Sequence, residues 1–386
     1  MSPESNVQTD RWQRLREQMP VSREWIYLDH AGVGPISAPA RACVLDWAEE
    51  ATNDGASNWA RWHQGVENAR KSAATLVGAS TDEISLVKNT TAGICVVSEG
   101  FPWKEGDNIV VPANEFPSNL YPWMILEAKG VETRRVPVED GRLDLDRMAA
   151  ACDDRTRIVS ASWISYSSGW RNDVAALAQM AHDNGALFFL DAIQGLGVFP
   201  LDVEETGVDF LAADGHKWML GPEGAGILYV RREHLDLLQT TGVGWNSVKQ
   251  ERDFGLIDLD LKPTAERFEG GTQNMVGFLG LGASLDLLLS CEIEAVGKRV
   301  LEISDFVCEK LEAAGAEVAC CRDPERASGI VPFLMPGVQV DGARARLTEQ
   351  GVVLSERGGR LRISPHAYNT EEEMERLVDI LKQSAT

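Results

Sequence analysis

Short apolar runs separated by amphipathic stretches fill the middle of this chain, and that alternation limits its fold more than any other feature. Ile84–Val87 and residues 109–111, 131–138, 157–164, 186–190, 210–213 and 227–230 are too short and too uniformly apolar for surface helices, and read as strands, most of them buried. Between them, residues 118–129, 145–152 and 174–183 carry helical spacing, with Asn172 or Asp173 as the N-cap of the last. Strands and helices alternating at this interval predict an α/β fold: a mostly parallel sheet flanked by helices.

Beyond about residue 265 the pattern changes. Long helical stretches over 275–289 and 293–314 precede short strands near 331–334, 352–354 and 361–363, and a last helix over 371–382. With 386 residues, 44% of them hydrophobic, the chain has core material for two domains of roughly 100–200 residues each. The expected division is a large domain over residues 36–265 and a smaller C-terminal α/β domain made of 266–386 together with 1–35.

The formal charge of −22 repels phosphate backbones and anionic lipids, so neither nucleic acid nor a membrane is expected as a partner. The first residues are polar, with Arg11, Arg14 and Arg16, and lack the apolar core of a secretion signal. Cys43, Cys95, Cys152, Cys291, Cys308, Cys320 and Cys321 are scattered without CxxC or zinc-type Cys/His spacing, and the six histidines are dispersed. A cytoplasmic protein with reduced thiols and no metal is expected.

Ligands of open α/β sheets gather outside the carboxyl ends of the strands. Two such ends stand out. The run 187–190 stops at Asp191, followed by Ala192-Ile193-Gln194, and the run 210–213 leads through Asp214-Gly215-His216 to Lys217. A lone lysine there is ordinarily a surface residue, but an aspartate on the neighbouring strand end changes the reading. Pyridoxal-phosphate chemistry needs a lysine to form a Schiff base with the cofactor aldehyde and a carboxylate to keep the pyridine nitrogen protonated.

The segments Leu190-Asp191-Ala192-Ile193-Gln194 and Gly215-His216-Lys217-Trp218, with the Gly-Pro-rich stretch after them, resemble the class V aminotransferase and cysteine desulfurase family of the aspartate aminotransferase fold group. The likeness runs from about Tyr27-Leu28-Asp29-His30-Ala31 to the C-terminal helix. It implies pyridoxal 5'-phosphate on Lys217, Asp191 at the ring nitrogen and Gln194 at the phenolic oxygen. Thr91 and Ala92, opening a helix, would cradle the phosphate, an arrangement that is otherwise ordinary helix capping. His216 would lie near the phosphate. Phe116 would stack on the ring where relatives often have histidine, and is otherwise a core residue.

Tyr166, where desulfurases often carry asparagine, would serve the phenolic oxygen or the substrate. Asp214, where relatives have serine or threonine, either points away from the phosphate or leaves its binding to other groups. Thr272, in Gly270-Gly271-Thr272, would reach the phosphate of a second subunit, making the protein a homodimer with a shared active site. Arg362 would clamp the α-carboxylate of a small amino-acid substrate, with Arg357 and Arg360 as rivals and His30 as a further substrate contact.

Desulfurases carry a sulfur-accepting cysteine on a loop shortly before that arginine. The corresponding stretch here, residues 353–360, is short and has none. This argues against a persulfide-forming desulfurase, and since elimination needs no further catalytic residue, β-elimination of a cysteine or cystine C–S bond is the expected reaction. An aminotransferase, an epimerase of the isopenicillin-epimerase type and a non-catalytic binding protein on the same fold stay open.

Overall fold

The structure is a computed structural model that describes residues 3–139 and 141–384. After a short strand β1 (Ile26–Tyr27), seven strands form the central sheet: β2 (Ile84–Val87), β3 (Asn108–Pro112), β4 (Glu132–Val136), β5 (Thr156–Ser162), β6 (Leu187–Asp191), β7 (Phe210–Asp214) and β8 (Gly226–Val230). Their order is β2-β8-β7-β6-β5-β3-β4. All pairs are parallel except those of β8, which runs antiparallel to both β2 and β7. Every residue of β2, β3, β7 and β8 is buried, the signature of a sheet covered on both faces.

The expected helix Val174–Asp183 is present, and Asp173 is its cap, accepting from the amide of Ala176. The expected helix over 118–129 is instead broken into Pro117–Asn119, Tyr121–Met124 and Ile125–Lys129. Pro117 and Pro122 remove two amide donors and bias the residues before them away from helical geometry.

The last third supplies β9 (Glu317–Val318), β10 (Val331–Leu334), β11 (Val352–Val353), β12 (Ser355–Arg357) and β13 (Arg360–Ile363). Four of these make a sheet of order β12-β13-β10-β9, while β11 pairs in parallel with β1. Thus the N-terminal strand is stitched to the C-terminal part, and Ile26 and Leu28 share a core with Val331, Phe333, Leu361, Ile363 and Leu377.

The helix Met275–Ser290, on the small-domain side of the expected boundary at 265, packs against the helices Ala38–Asn53 and Trp59–Val77 of the large body. The next helix, Ile293–Ala313, gives Val296 and Val300 to the large core and Ile303, Val307 and Leu311 to the small one. On this packing we propose that the small domain begins within Ile293–Ala313 rather than at 266.

Arg70 and Glu269 tie three layers together. Their side chains are 2% and 1% exposed and form an ion pair, and Glu269 also accepts from the amide of Leu86 on β2 at 2.8 Å. Removing one member of such a pair strands a charge in a dry interior. Glu269→Ala is expected to lower unfolding free energy by about 3–5 kcal/mol, read as a fall in the urea midpoint. A loss below about 1 kcal/mol would mean that the pair does not hold these layers together.

Candidate active site

The carboxyl ends of β5, β6 and β7, together with the helix that follows β2, open onto one cavity of about 300 Å³. Asp191 ends β6, opposite Ala212 of β7, and the chain leaving β7 places Lys217 on the same cavity. Asp191 and Lys217 are buried, 2% and 8% exposed. Burial lifts the Asp191 carboxyl to about 6, against a backbone hydrogen bond from Ile193 and the charge of Lys217. Burial drops the Lys217 amine to about 8, opposed by Asp191 and assisted by the positive charge of Arg362. Both groups are pushed toward their neutral forms. Each therefore has electrostatic stabilisation to gain from a ligand lying between them.

The backbone around Lys217 is held by a close approach. Gly34 donates its amide to the carbonyl of His216 at 2.7 Å, and a Cβ on Gly34 would lie 2.2 Å from the carbonyl oxygen of Lys217. Only glycine fits there.

Asn89 caps the helix Thr90–Gly100 by accepting from the amide of Ala92. Thr91 faces the cavity, its hydroxyl bonded to that of Ser118 at 2.9 Å. Ala92 instead lines a wider neighbouring groove of about 810 Å³, and its amide is already used by the cap. His216 lines the cavity with Nδ1 3.0 Å from Asp214 Oδ2. Asp214 therefore does not point away. It faces the cavity too, and its buried Oδ1 has no hydrogen-bond partner.

Phe116 packs edge-on against Tyr166, ring centres 5.3 Å apart, and lies 5.6 Å from Lys217 Nζ. Gln194 is anchored at both ends of its amide, donating to the carbonyl of Ala31 and accepting from the Trp218 indole. Arg362 is 1% exposed and donates to the Tyr166 carbonyl at 2.7 Å and to Ser355 Oγ at 3.0 Å, with Asp29 Oδ1 at 3.4 Å. Burial lowers its guanidinium to about 10, which still leaves it charged at neutral pH.

Two expected residues lie elsewhere. His30 is fully buried beneath the site, with Nδ1 2.8 Å from the Ser364 carbonyl and Nε2 2.9 Å from the Tyr368 hydroxyl. Both ring nitrogens are engaged within the protein, and burial holds the ring well below its usual pKa, so its expected contact with substrate is replaced by packing. Thr272 lies in the wider groove and not on the cavity of its own chain.

Ser118 and Thr90 line the cavity without having been anticipated there, and of the two rivals of Arg362 only Arg357 lines it. Ser118 stands two residues after Phe116, so the run Phe116-Pro117-Ser118 held a usable signal. Glu115 is a further addition, buried behind the site. It accepts from the amide and hydroxyl of Ser162, and burial raises it to about 7.

These residues fit pyridoxal phosphate. An amine and a carboxylate, both short of partners, face one enclosed space, and hydroxyls stand at a helix start beside it.

The same architecture occurs in known proteins. A curated "Probable cysteine desulfurase" of Methanothermobacter thermautotrophicus is 32% identical over 97% of this chain and 98% of its own length. The apo structure of a cysteine desulfurase from Thermococcus onnurineus NA1 superposes with a TM-score of 0.87 at 26% identity, covering 96% of this chain and 97% of that one. The fold also matches the cystine C-S lyase C-DES, solved with its product cysteine persulfide, with a TM-score of 0.88 at 24% identity over 95% of this chain and 99% of that one. The model of the family described as aminotransferase class-V matches residues 26–377, and the chain belongs to that family.

Proposed function

We propose that this protein is a pyridoxal-phosphate-dependent lyase that cleaves the Cβ–S bond of a cysteine-type amino acid. The observation that carries the reading is that Lys217 and Asp191 face one cavity with Arg362 on its wall. When bound, pyridoxal phosphate supplies an electron sink that acidifies the Cα–H bond of the substrate.

The chain's own groups have these roles. Lys217 holds the cofactor and then, freed as an amine, takes the Cα proton; its depressed pKa keeps a useful neutral fraction near physiological pH. Asp191 keeps the ring nitrogen protonated, and Gln194 offers the phenolic oxygen the one amide N–H not committed to Ala31. Thr91, Ser118 and His216 hold the phosphate at the start of the helix Thr90–Gly100, with Ala92 as the helix-start residue behind them. Phe116 covers the ring face. Arg362 grips the α-carboxylate, and Tyr166 orients that arginine through its carbonyl. Loss of the Cα proton and departure of sulfur with its bonding pair leave 2-aminoacrylate, which water converts to pyruvate and ammonium.

Elimination is favoured over persulfide transfer by the hairpin β12–β13. It turns through two residues, Gly358 and Gly359, at φ 57° and 73°, leaving no room for a sulfur-carrying loop. Among the described residues no cysteine lines the cavity, and Cys320 lies against Cys308 in the small domain, their sulfurs 4.0 Å apart.

A homodimer is part of the same proposal. Thr272 sits in a groove that shares Asn89 and Thr91 with the cavity, which supports a role for it toward the phosphate of a second copy. Tyr121, Ile125, Phe254, Ile257 and Leu259 are 66% to 94% exposed in one copy, apolar surface that a second copy would cover. Among the described residues no single helix is long and apolar enough to cross a membrane. The seven cysteines, all unpaired, support a reducing, cytoplasmic setting.

Loaded with pyridoxal phosphate, the protein is expected to turn yellow and, after borohydride, to carry the cofactor on Lys217 by mass spectrometry. Lys217→Ala should carry none, and a colourless wild type would end the reading. Given cystine or cysteine, the holoenzyme should release pyruvate without accumulating a protein persulfide. A pyridoxamine form, or inversion at Cα, would reassign it to transamination or epimerisation.

The lysine pKa sets a second test. Only the neutral amine attacks the aldehyde, so capture of pyridoxal phosphate by the cofactor-free protein should speed up roughly tenfold per pH unit below the amine pKa. The stopped-flow rate should climb from pH 6 and level off above about 8. A rate still climbing past pH 10 would show an unperturbed lysine.

A further inference from the structure

The hairpin that closes the cavity carries three arginines, and the structure separates their tasks. Across it Ser355 pairs with Arg362 and Arg357 with Arg360. Strand residues two apart share a face, and directly opposed residues in an antiparallel pair point the same way. All four side chains therefore leave one face of the hairpin. The contact of Arg362 Nε with Ser355 Oγ identifies this as the face next to the cavity.

From there the arginines diverge. Arg360 turns aside to Glu317 at 2.9 Å and is neutralised. Arg362 lies deep, with Asp29 at 3.4 Å as its counter-charge. Arg357 lines the cavity beside Arg362, and its guanidinium makes one described contact, Nη1 donating to the carbonyl of Glu356 at 2.9 Å. Among the described residues no carboxylate lies within ion-pair distance of it, in a chain with 59 acidic residues against 37 basic ones. Its charge reaches Arg362, whose pKa it helps to lower. The two-glycine turn that follows fixes its position at the cavity mouth.

If Arg362 takes the α-carboxylate, the next cation outward has no anion of its own. We infer that Arg357 is a specificity-determining residue that binds a second anionic group carried on the β-substituent, so that the preferred substrates are alanine derivatives with a carboxylate-bearing sulfur leaving group. This rests on the lyase reading above. The step is unchanged from that reading: the Cβ–S bond breaks with its electron pair on sulfur, and the anionic thiol leaves past Arg357.

S-carboxymethyl-L-cysteine and S-carbamoylmethyl-L-cysteine have nearly the same shape and differ by one distal negative charge. The wild-type holoenzyme should favour the charged compound by roughly tenfold in kcat/KM for pyruvate release, the scale of one charge-assisted hydrogen bond. Arg357→Gln should bring the ratio to within about twofold, Arg357→Lys should restore part of it, and Arg360→Gln, outside the cavity, should retain it. Calorimetric binding of both compounds to the purified protein reads the same preference whether or not turnover occurs. Absence of pyruvate from either compound thus counts against the lyase reading alone. A wild type without charge preference, or an Arg357→Gln variant that keeps it, overturns the role of Arg357.

Discussion

Everything about this molecule follows from the cost of placing a lysine and an aspartate, both nearly out of water, at the ends of neighbouring parallel strands. A buried unpaired charge is unstable, and the protein leaves both groups displaced toward neutrality: Asp191 near 6 and Lys217 near 8. Direct contact would have been the simplest relief. The fold prevents it by fixing Asp191 at the tip of β6 while the chain beyond β7 turns back under Gly34 before presenting Lys217. What separates them is a cavity of about 300 Å³. Two groups that would stabilise one another are held apart, and a heterocycle with a basic nitrogen and an aldehyde satisfies both at once.

The remaining walls come from distant parts of the chain, which explains the stitching of the N-terminal segment. Leu28 exchanges backbone hydrogen bonds with Val353 and Ser364, so Asp29 arrives beside Arg362. Beneath them His30, Trp218, His366 and Tyr368 form an aromatic block. Burial lowers His366 to about 4, so its ring is neutral at physiological pH and behaves as packing rather than as a titrating group. The block couples the backbone of Trp218, next to the reactive lysine, to the small domain through the His366 ring at 3.2 Å. The position of Arg362 relative to Lys217 is thereby set by contacts between the two cores, not by either core alone.

The legible part of the sequence was the part where local pattern and burial agree. Apolar runs located β2, β7 and β10 because all, or in β10 all but one, of their residues are buried and leave little choice of side chain. Asp191 and Lys217 were legible because a charge at the end of such a run needs a reason. The helix expected over 118–129 was not obtained, since two prolines outweigh its apolar spacing. His30 was misread for a different cause. Its neighbours in sequence border the cavity, but Ser364 and Tyr368, more than three hundred residues away, claim both ring nitrogens. The packing of Met275–Ser290 on the large body was equally invisible, because an apolar helix does not state which core it joins. Arg357 and Arg360 look alike in sequence, and only Glu317 on another strand distinguishes them.

Asp214 is a local anomaly that the surrounding side chains do not neutralise. A carboxylate facing the pocket proposed for a phosphate would repel it, yet one oxygen of Asp214 lies 3.0 Å from His216 Nδ1 and the backbone amide of Asp214 donates to Thr90 Oγ1. The approach to the imidazole is close but is not a hydrogen bond, since His216 Nδ1 is itself buried without a partner. Asp214 Oδ1 and His216 Nδ1 are the cost of this arrangement, two buried polar atoms without partners. The departure from serine or threonine at this position therefore puts a carboxylate and a neighbouring imidazole, in place of a neutral hydroxyl, on the wall of the cavity.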